Sequence, residues 1–334
     1  MTKKILVLPG DGIGPEVAFS AVSVLTQAVG DKIEIFYGDI GQSAFVKTSE
    51  YLPAETVSLA TDADAIIAGG VIDAPSDRTY QNPIRVLKKQ LNFYSVVRKF
   101  FPLCKDIGTQ GVDLLLITGN SDTLLSIIET ESLDGVNSHR FLSTASCGRL
   151  FQKAARLSMM MNRKKVTCVH RSRMFTAIDG MFVEQFYKEL AGSGLLIEDM
   201  DVGEAASEFV KDPSSMDVLI STDIYGTVLA GVAAGMVGGS YLTPVGSLGD
   251  HSGLFEPMHG PNPKSIVSGF VNPTSAILSA AMALDNMGMS QEAEKIRKAV
   301  RRVYSNKMIT PDVGGKATTK EFTGHVVDVL KDTM

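Results

Sequence analysis

The chain has 334 residues, 44% of them hydrophobic, with 32 basic against 37 acidic side chains and a formal net charge of −5. This length and apolar content imply one large or two medium domains with a sizeable core, and the charge leaves no basic face for nucleic acid. No run reaches the roughly 18–20 apolar residues of a membrane span, the opening MTKKILVLPG is neither a signal core nor a transit segment, and Cys104, Cys147 and Cys168 lie far apart with no CxxC, which argues against a disulfide framework or a zinc site and for a cytoplasmic chain.

In chain order, residues 4–8 form a short apolar run that meets Pro9-Gly10-Asp11-Gly12, and helical periodicity follows over 15–29. Gly10, Gly12 and Gly14 would let the backbone turn tightly and approach a ligand. Their spacing is not GxGxxG, so a plain strand-to-helix loop is the competing reading. Residues 33–38 and 65–68 read as strands, the second closed by Gly69-Gly70. In Asn82–Lys89, Arg85, Lys88 and Lys89 fall on neighbouring helix faces, with Arg98 beyond them. They form either a solvated basic face or a carboxylate-binding set. Residues 113–117, 165–169 and 217–221 read as further strands, and 165–169 leads into His170-Arg171-Ser172-Arg173. The carboxyl end of a parallel strand is a favoured ligand site; an exposed basic loop is the alternative.

Residues 226–239 carry no charge and are rich in Gly, Ala and Val, the pattern of a helix packed closely on another surface. Glu256-Pro257-Met258-His259-Gly260-Pro261 offers backbone amides for a phosphate or adenosine, or is a turn-rich loop with a structural histidine. Asn272-Pro273-Thr274 reads as a helix start. Residues 291–304 and 318–330 read as the last helices. Short apolar runs alternating with amphipathic segments predict an α/β chain with a largely parallel sheet.

Taken in order, LPGDGIGPE, NPIRVLKKQLNFYSVVR, DLLLITGNSD, VHRSRMF, AAGMVGG, GLFEPMHG, VNPTSAILSAAM and ITPDVGGKATTKEFT cover nearly the whole chain. The set resembles the isocitrate/isopropylmalate dehydrogenase family, the metal-dependent β-decarboxylating dehydrogenases. The resemblance implies a two-domain α/β fold with a central mixed, largely parallel sheet and an interdomain cleft. Its large nucleotide-binding domain would take residues 1–99 plus 240–334, and its small domain, with the dimer interface, residues 100–239. It further implies a homodimer that shares its sites between subunits, acting on a small anionic metabolite.

Carried over residue by residue, Gly249, Asp250, Glu256, His259, Gly260 and Asn272 fall where the family binds the adenine end of NAD or NADP. Lys264 falls where NAD-using members carry aspartate and NADP-using members often carry lysine, which leans toward NADP or another phosphorylated nucleotide. The tyrosine that commonly follows is Ser265 here. Arg98 and Lys88 fall on substrate-carboxylate arginines, and Asn120 on the asparagine of the R-E-N-T pattern, which Thr118 and Gly119 open. The reactive slots differ. The catalytic lysine falls on Arg171 and the catalytic tyrosine on Leu125. The metal aspartates fall on Thr227 and Gly231, and the aspartate lent across the dimer on Gly203, with Asp201 two residues away on the same strand face.

These substitutions carry a physical expectation. Mg²⁺ or Mn²⁺ wants several oxygen ligands, carboxylates among them, so neither ion is expected. An arginine stays protonated where a lysine can pass a proton, and leucine is no general acid. Lys88, Arg98, Arg171 and Arg173 instead suit an anionic ligand. The expected role is a binding or regulatory homologue without oxidative decarboxylation. The first alternative is an enzyme of changed, metal-free chemistry using Ser121, Asp122, His170, Asp223 or Asp250. The second is an NAD(P)-dependent isocitrate/isopropylmalate-type dehydrogenase.

Overall fold

In a computed structural model the structure describes residues 2–73, 80–120, 125–261 and 267–332, with the backbone only at Leu125 and Ser126. In chain order the elements are β1 (Lys3–Leu8), α1 (Gly14–Val29), β2 (Ile33–Tyr37), α2 (Gln42–Thr48), α3 (Ala54–Asp62), β3 (Ala65–Ala68), α4 (Pro83–Gln90), β4 (Ser95–Phe100) and β5 (Leu114–Gly119). Then come β6 (Leu125–Ser132), β7 (Gly135–Leu142), α5 (Thr144–Met160), β8 (Lys165–His170), α6 (Ile178–Leu190), β9 (Leu196–Asp201), α7 (Val202–Lys211) and β10 (Val218–Ser221). The chain finishes with α8 (Asp223–Met236), β11 (Pro244–Leu248), β12 (Gly253–Pro257), α9 (Thr274–Asn286), α10 (Ser290–Ser305) and α11 (Thr319–Lys331). The α/β class read from the sequence is the class observed.

The chain divides into two compact units. The first is Met1–Leu91, Pro102–Gln110 and Ala234–Met334; the second is Asn92–Phe101 and Gly111–Ala233. In the first unit the strands run β2-β1-β3-β12-β11, parallel except for the antiparallel β11–β12 pair. All residues of α9 from Thr274 to Leu284 are buried, as expected of a helix that is apolar and small on every face. Its two serines then need partners, and they find them at the strand ends. Ser279 Oγ donates to the Glu256 carbonyl at 2.7 Å and accepts from Val245 N–H at 3.2 Å, while Ser275 Oγ accepts from Met258 N–H at 3.0 Å. These bonds fix the two strands that carry the Glu256–Pro261 segment.

In the second unit the strands run β4-β5-β10-β8-β9, parallel except for the antiparallel β4–β5 pair. Phe151, Phe182 and Phe186 pack ring to ring between α5 and α6, with centroids 4.8 and 5.6 Å apart. Each such buried ring is worth about 1.5–3 kcal/mol relative to exposure. The uncharged helix expected over 226–239 is α8. It starts three residues earlier than its Gly-rich pattern and ends before Gly238 and Gly239, whose φ values of +105° and +123° turn the chain away. Gly226 lets α8 close onto β5, because a Cβ there would sit 2.1 Å from Thr118 Cγ2. Hairpin β6–β7 forms a separate two-stranded sheet. No helix among the described residues is long and apolar enough to cross a membrane.

Candidate functional site

In the first unit the carboxyl ends of the parallel strands β1, β3 and β12 place three loops side by side. Gly10 has φ +72°, and a Cβ there would lie 1.8 Å from the Gly70 carbonyl oxygen; at Gly12 it would lie 2.2 Å from that of Pro261. Ile13 N–H donates to the Pro261 carbonyl and Asp11 N–H to that of Gly70, both at 3.0 Å. Of the two readings of these glycines, the structure therefore shows backbone packed on backbone. Asp11, 5% exposed, accepts from the amides of Gln42, Ser43 and Ile72 at 2.9, 2.9 and 3.0 Å.

His259 lies just past β12 and is buried, stacked on Tyr241 with centroids 4.2 Å apart. Its Nδ1 lies 3.1 Å from the Gly260 carbonyl, so Nδ1–H donates and Nε2 keeps its lone pair. That Nε2 is buried without a partner among the described residues. Burial pushes the imidazole down from 6.5 to about 4 against the opposing pull of the Gly260 carbonyl. A buried acceptor with no donor calls for one from outside. Gly260, beside it, has open space where a Cβ would be. An adenine, with its exocyclic amino donor and flat face, fits these two residues. The depressed pKa means this contribution to stability is complete above about pH 6.5 and lost as pH falls toward 4. In a proton NMR titration, the imidazole resonance missing from His259→Gln is expected to stay unmoved between about pH 8 and 5.5; a midpoint in that window would disprove it.

The other nucleotide candidates are differently placed. Asn272, fully buried, donates to Tyr304 Oη and Asp312 Oδ2 at 3.1 and 3.0 Å and accepts from Thr274 N–H at 3.0 Å. Its amide thus serves the start of α9, the helix-start role its sequence suggested. Gly249 N–H donates to Ser252 O at 3.0 Å, and Asp250 is exposed. Lys264 and Ser265 lie outside the described residues, as do Ser121 and Asp122. Lys88, read as a substrate ligand, forms an ion pair with Glu256, read as a nucleotide ligand.

In the second unit the carboxyl ends of β5, β10 and β8 gather polar groups. Arg98 Nη1 donates to Thr118 Oγ1 at 3.3 Å. Asn120 is turned inward, its Nδ2 donating to Phe93 O at 2.9 Å. Thr222 Oγ1 is buried without a partner among the described residues. Asp179, 2% exposed, accepts from Arg171 N–H and Tyr225 O–H, each at 2.8 Å. Burial first, and then Asp179, push the Tyr225 phenol up. Sequence reasoning missed Asp179 and Tyr225. The signal was there: Asp179 shares a helix face with Phe182 and Phe186, and a lone acid on an apolar face needs a buried partner.

His170 does have a carboxylate within reach. Its Nδ1 accepts from Ser172 N–H at 3.0 Å, so Nε2–H donates to Asp199 at 2.9 Å. Tyr187 O–H donates to the other Asp199 oxygen at 2.6 Å. That bond and burial push the Tyr187 phenol up to about 12. Burial works to raise the Asp199 carboxyl, but Tyr187 and His170 outweigh it and hold it below 3.8. Both His170 nitrogens are thus engaged, which suits holding β8 to β9 better than moving protons.

The reactive slots carry few charged oxygens. Thr227 Oγ1 donates to Asp223 Oδ1 at 3.3 Å on the first turns of α8, and Gly231 faces open space. Asp201 and Gly203 do not share the strand face expected of them: β9 ends at Asp201, whose Oδ1 caps α7 by accepting from Gly203 N–H at 2.9 Å and lies 3.9 Å from Arg171 Nη1. Leu125 opens β6 opposite Leu142. Arg171 and Arg173 are exposed. Among the described residues no three His, Cys, Asp or Glu side chains cluster as a metal set. One chain's described donors at these slots, a threonine hydroxyl beside Asp223 and two glycines, do not fit Mg²⁺ or Mn²⁺.

The sequence matches the model of the isocitrate/isopropylmalate dehydrogenase family over residues 4–326. It is 34% identical to isocitrate/homoisocitrate dehydrogenase of Thermus thermophilus, over 99% of both chains. It is 30% identical to homoisocitrate dehydrogenase of Methanocaldococcus jannaschii, over 98% of both. The structure is similar to that of isocitrate dehydrogenase from Methylococcus capsulatus, with a TM-score of 0.89 at 28% identity, covering 99% of this chain and 100% of that one. These full-length matches to dehydrogenases overturn the expectation of a binding or regulatory homologue without oxidative decarboxylation. The expectation of a centre without metal gains no support from them either.

Proposed function

The chain belongs to the isocitrate/isopropylmalate dehydrogenase family, and from that membership we propose that it is an NAD(P)-dependent dehydrogenase. Its substrate is a small 2-hydroxy acid with at least two carboxylates, of the class of isocitrate, homoisocitrate and 3-isopropylmalate. The observation that carries this reading is the 34% identity to a dehydrogenase along the whole chain. His259 and Gly260 would hold the adenine, with the neutral imidazole accepting the amino group. The nicotinamide, when bound, supplies the hydride acceptor. Lys264, by its charge, favours the 2′-phosphate of NADP.

Arg98 would take one substrate carboxylate, and Arg171 and Arg173 draw the anion to the end of β8. As a guanidinium, Arg171 orients charge and does not relay protons. Asp223, on the first turn of α8, is an acid–base group the described residues of this unit offer there. The reading is tested by assaying NAD and NADP against isocitrate, homoisocitrate and 3-isopropylmalate, each with Mg²⁺, with Mn²⁺ and with a chelator. Formation of reduced nicotinamide with one acid is expected; none with any combination would sink the reading, and the chelator decides the metal.

The occupant of the outer face of α8 is a second copy of the chain. Ile224 and Val228 are exposed there, 36% and 66%, and Gly231 and Gly235 on the same face leave room for another helix. Light scattering is expected to give twice the chain mass; a monomer would refute the dimer.

A further inference from the structure

We propose that Lys88 couples nucleotide binding to substrate binding through Glu256. The proposal rests on the dehydrogenase reading above and goes beyond it, because the residue in a substrate-arginine slot is here shared between two ligands.

Helix α4 aims the ammonium. Asn82 caps it by accepting from Arg85 N–H at 3.1 Å, Pro83 stands at its first turn, and Ile84 and Leu87 are buried beneath it. This leaves Lys88 in the last turn, one residue past the buried Leu87. Its Nζ forms an ion pair with Glu256 Oε1, and the two side chains are only 13% and 19% exposed. Glu256 is itself held in place, its backbone carbonyl accepting from Ser279 Oγ at 2.7 Å. It sits at the carboxyl end of β12, three residues before His259, whose Nε2 has no partner among the described residues and on the proposed reading takes the nucleotide.

Each half of the pair recognises a different ligand. An ammonium has three N–H donors and no acceptor, so it can serve Glu256 and a substrate carboxylate together. A carboxylate has two oxygens and only accepts, so the spare Glu256 oxygen suits the hydroxyl donors of a ribose. With no substrate, Glu256 is the partner of the Lys88 charge among the described residues. When a substrate carboxylate shares the ammonium, Glu256 is less neutralised and becomes a stronger acceptor, because charge-assisted bonds exceed neutral ones. Substrate therefore tightens nucleotide binding, and by linkage nucleotide tightens substrate binding by the same factor. An arginine in the same slot would hold a carboxylate through a fixed planar fork; a lysine leaves directions free for sharing.

The test uses the reduced dinucleotides, which cannot react with a hydroxy acid. Kd values for NADH and NADPH are measured by fluorescence on the full-length protein, with and without saturating isocitrate, 3-isopropylmalate or D-malate. One acid is expected to tighten dinucleotide binding by about tenfold, which is ~1.4 kcal/mol. Lys88→Met and Glu256→Gln should each bring the ratio close to one, and Lys88→Arg should keep part of it. Removing one member leaves a lone, mostly buried charge. The double variant Lys88→Met/Glu256→Gln leaves none, and should melt as a folded protein while still showing no coupling. Dinucleotide and acid that both bind wild type without influencing each other would overturn the coupling and leave the dehydrogenase reading standing. Coupling that survives in the double variant would also overturn it. A wild-type protein that binds no dinucleotide would sink both.

Discussion

Replacing Asp11 by alanine is expected to cost about 3–6 kcal/mol of unfolding free energy. Asp11 is nearly fully buried and accepts three backbone N–H groups, from Gln42, Ser43 and Ile72. Alanine leaves all three donors without a partner, at roughly 1–3 kcal/mol each, partly relieved where water enters. Two of those amides start α2 and the third lies two residues past Gly70, so the loss falls on the loops at the carboxyl ends of β1 and β3. Asp11→Asn keeps one acceptor oxygen and should lose clearly less. Urea denaturation decides; an Asp11→Ala midpoint within about 1 kcal/mol of wild type would show that the loop holds its shape by glycine packing alone.

The largest effect on activity is expected at Arg98. Arg98→Met should raise KM for the hydroxy acid by about ten- to a hundredfold, since a hydrogen bond to a charged group is worth roughly 1.5–3 kcal/mol. The Kd of NADH should change little, because Arg98 belongs to the second unit while Glu256 and His259 belong to the first. Arg98→Lys should recover part of the loss, keeping the charge without the planar fork. Steady-state kinetics with a parallel NADH titration separates the cases. An unchanged KM would place the substrate carboxylate elsewhere; an equal loss of NADH binding would point to damage of the fold.

Much of the framework was legible because buried parallel strands are nearly continuous apolar runs. β3 falls on the expected residues, and α10 and α11 lie within one or two residues of expectation. Thr318 and Glu321 complete a capping box that fixes the start of α11. Strands β4, β6, β7, β9, β11 and β12 were not legible as strands. β9 is an edge strand, LIEDMD, whose acids Glu198 and Asp199 are spent on Thr167, His170 and Tyr187, contacts with no local trace. The β6–β7 hairpin is exposed along most of β7, so no alternation betrays it; Asp134-Gly135 at its turn was the available sign.

The site was legible by position but not by partner. His259 keeps a buried ring nitrogen with no donor among the described residues, and Arg98 lies against Thr118 at the end of β5. Lys88, Asn120 and Asn272 are instead tied to protein groups far away in sequence, and only the folded chain brings those groups together. Spacing along a helix tells which residues share a face; it says nothing of the acid that another strand delivers to that face.

The interlock of Gly10, Gly70 and Pro261 has a consequence for the order of assembly on the ribosome. Ile13 waits for the carbonyl of Pro261, and β3 for its neighbour β12, until the last quarter of the chain has been synthesised. The whole stretch Gly111–Ala233 has by then emerged and holds its own sheet and aromatic core. The interrupted unit must therefore spend much of translation with the fully buried strand Ala65–Ala68 uncovered on one side. Such an apolar, uncharged edge is a site for chaperone capture or mispairing, and a nascent chain stalled before β12 would present it longest.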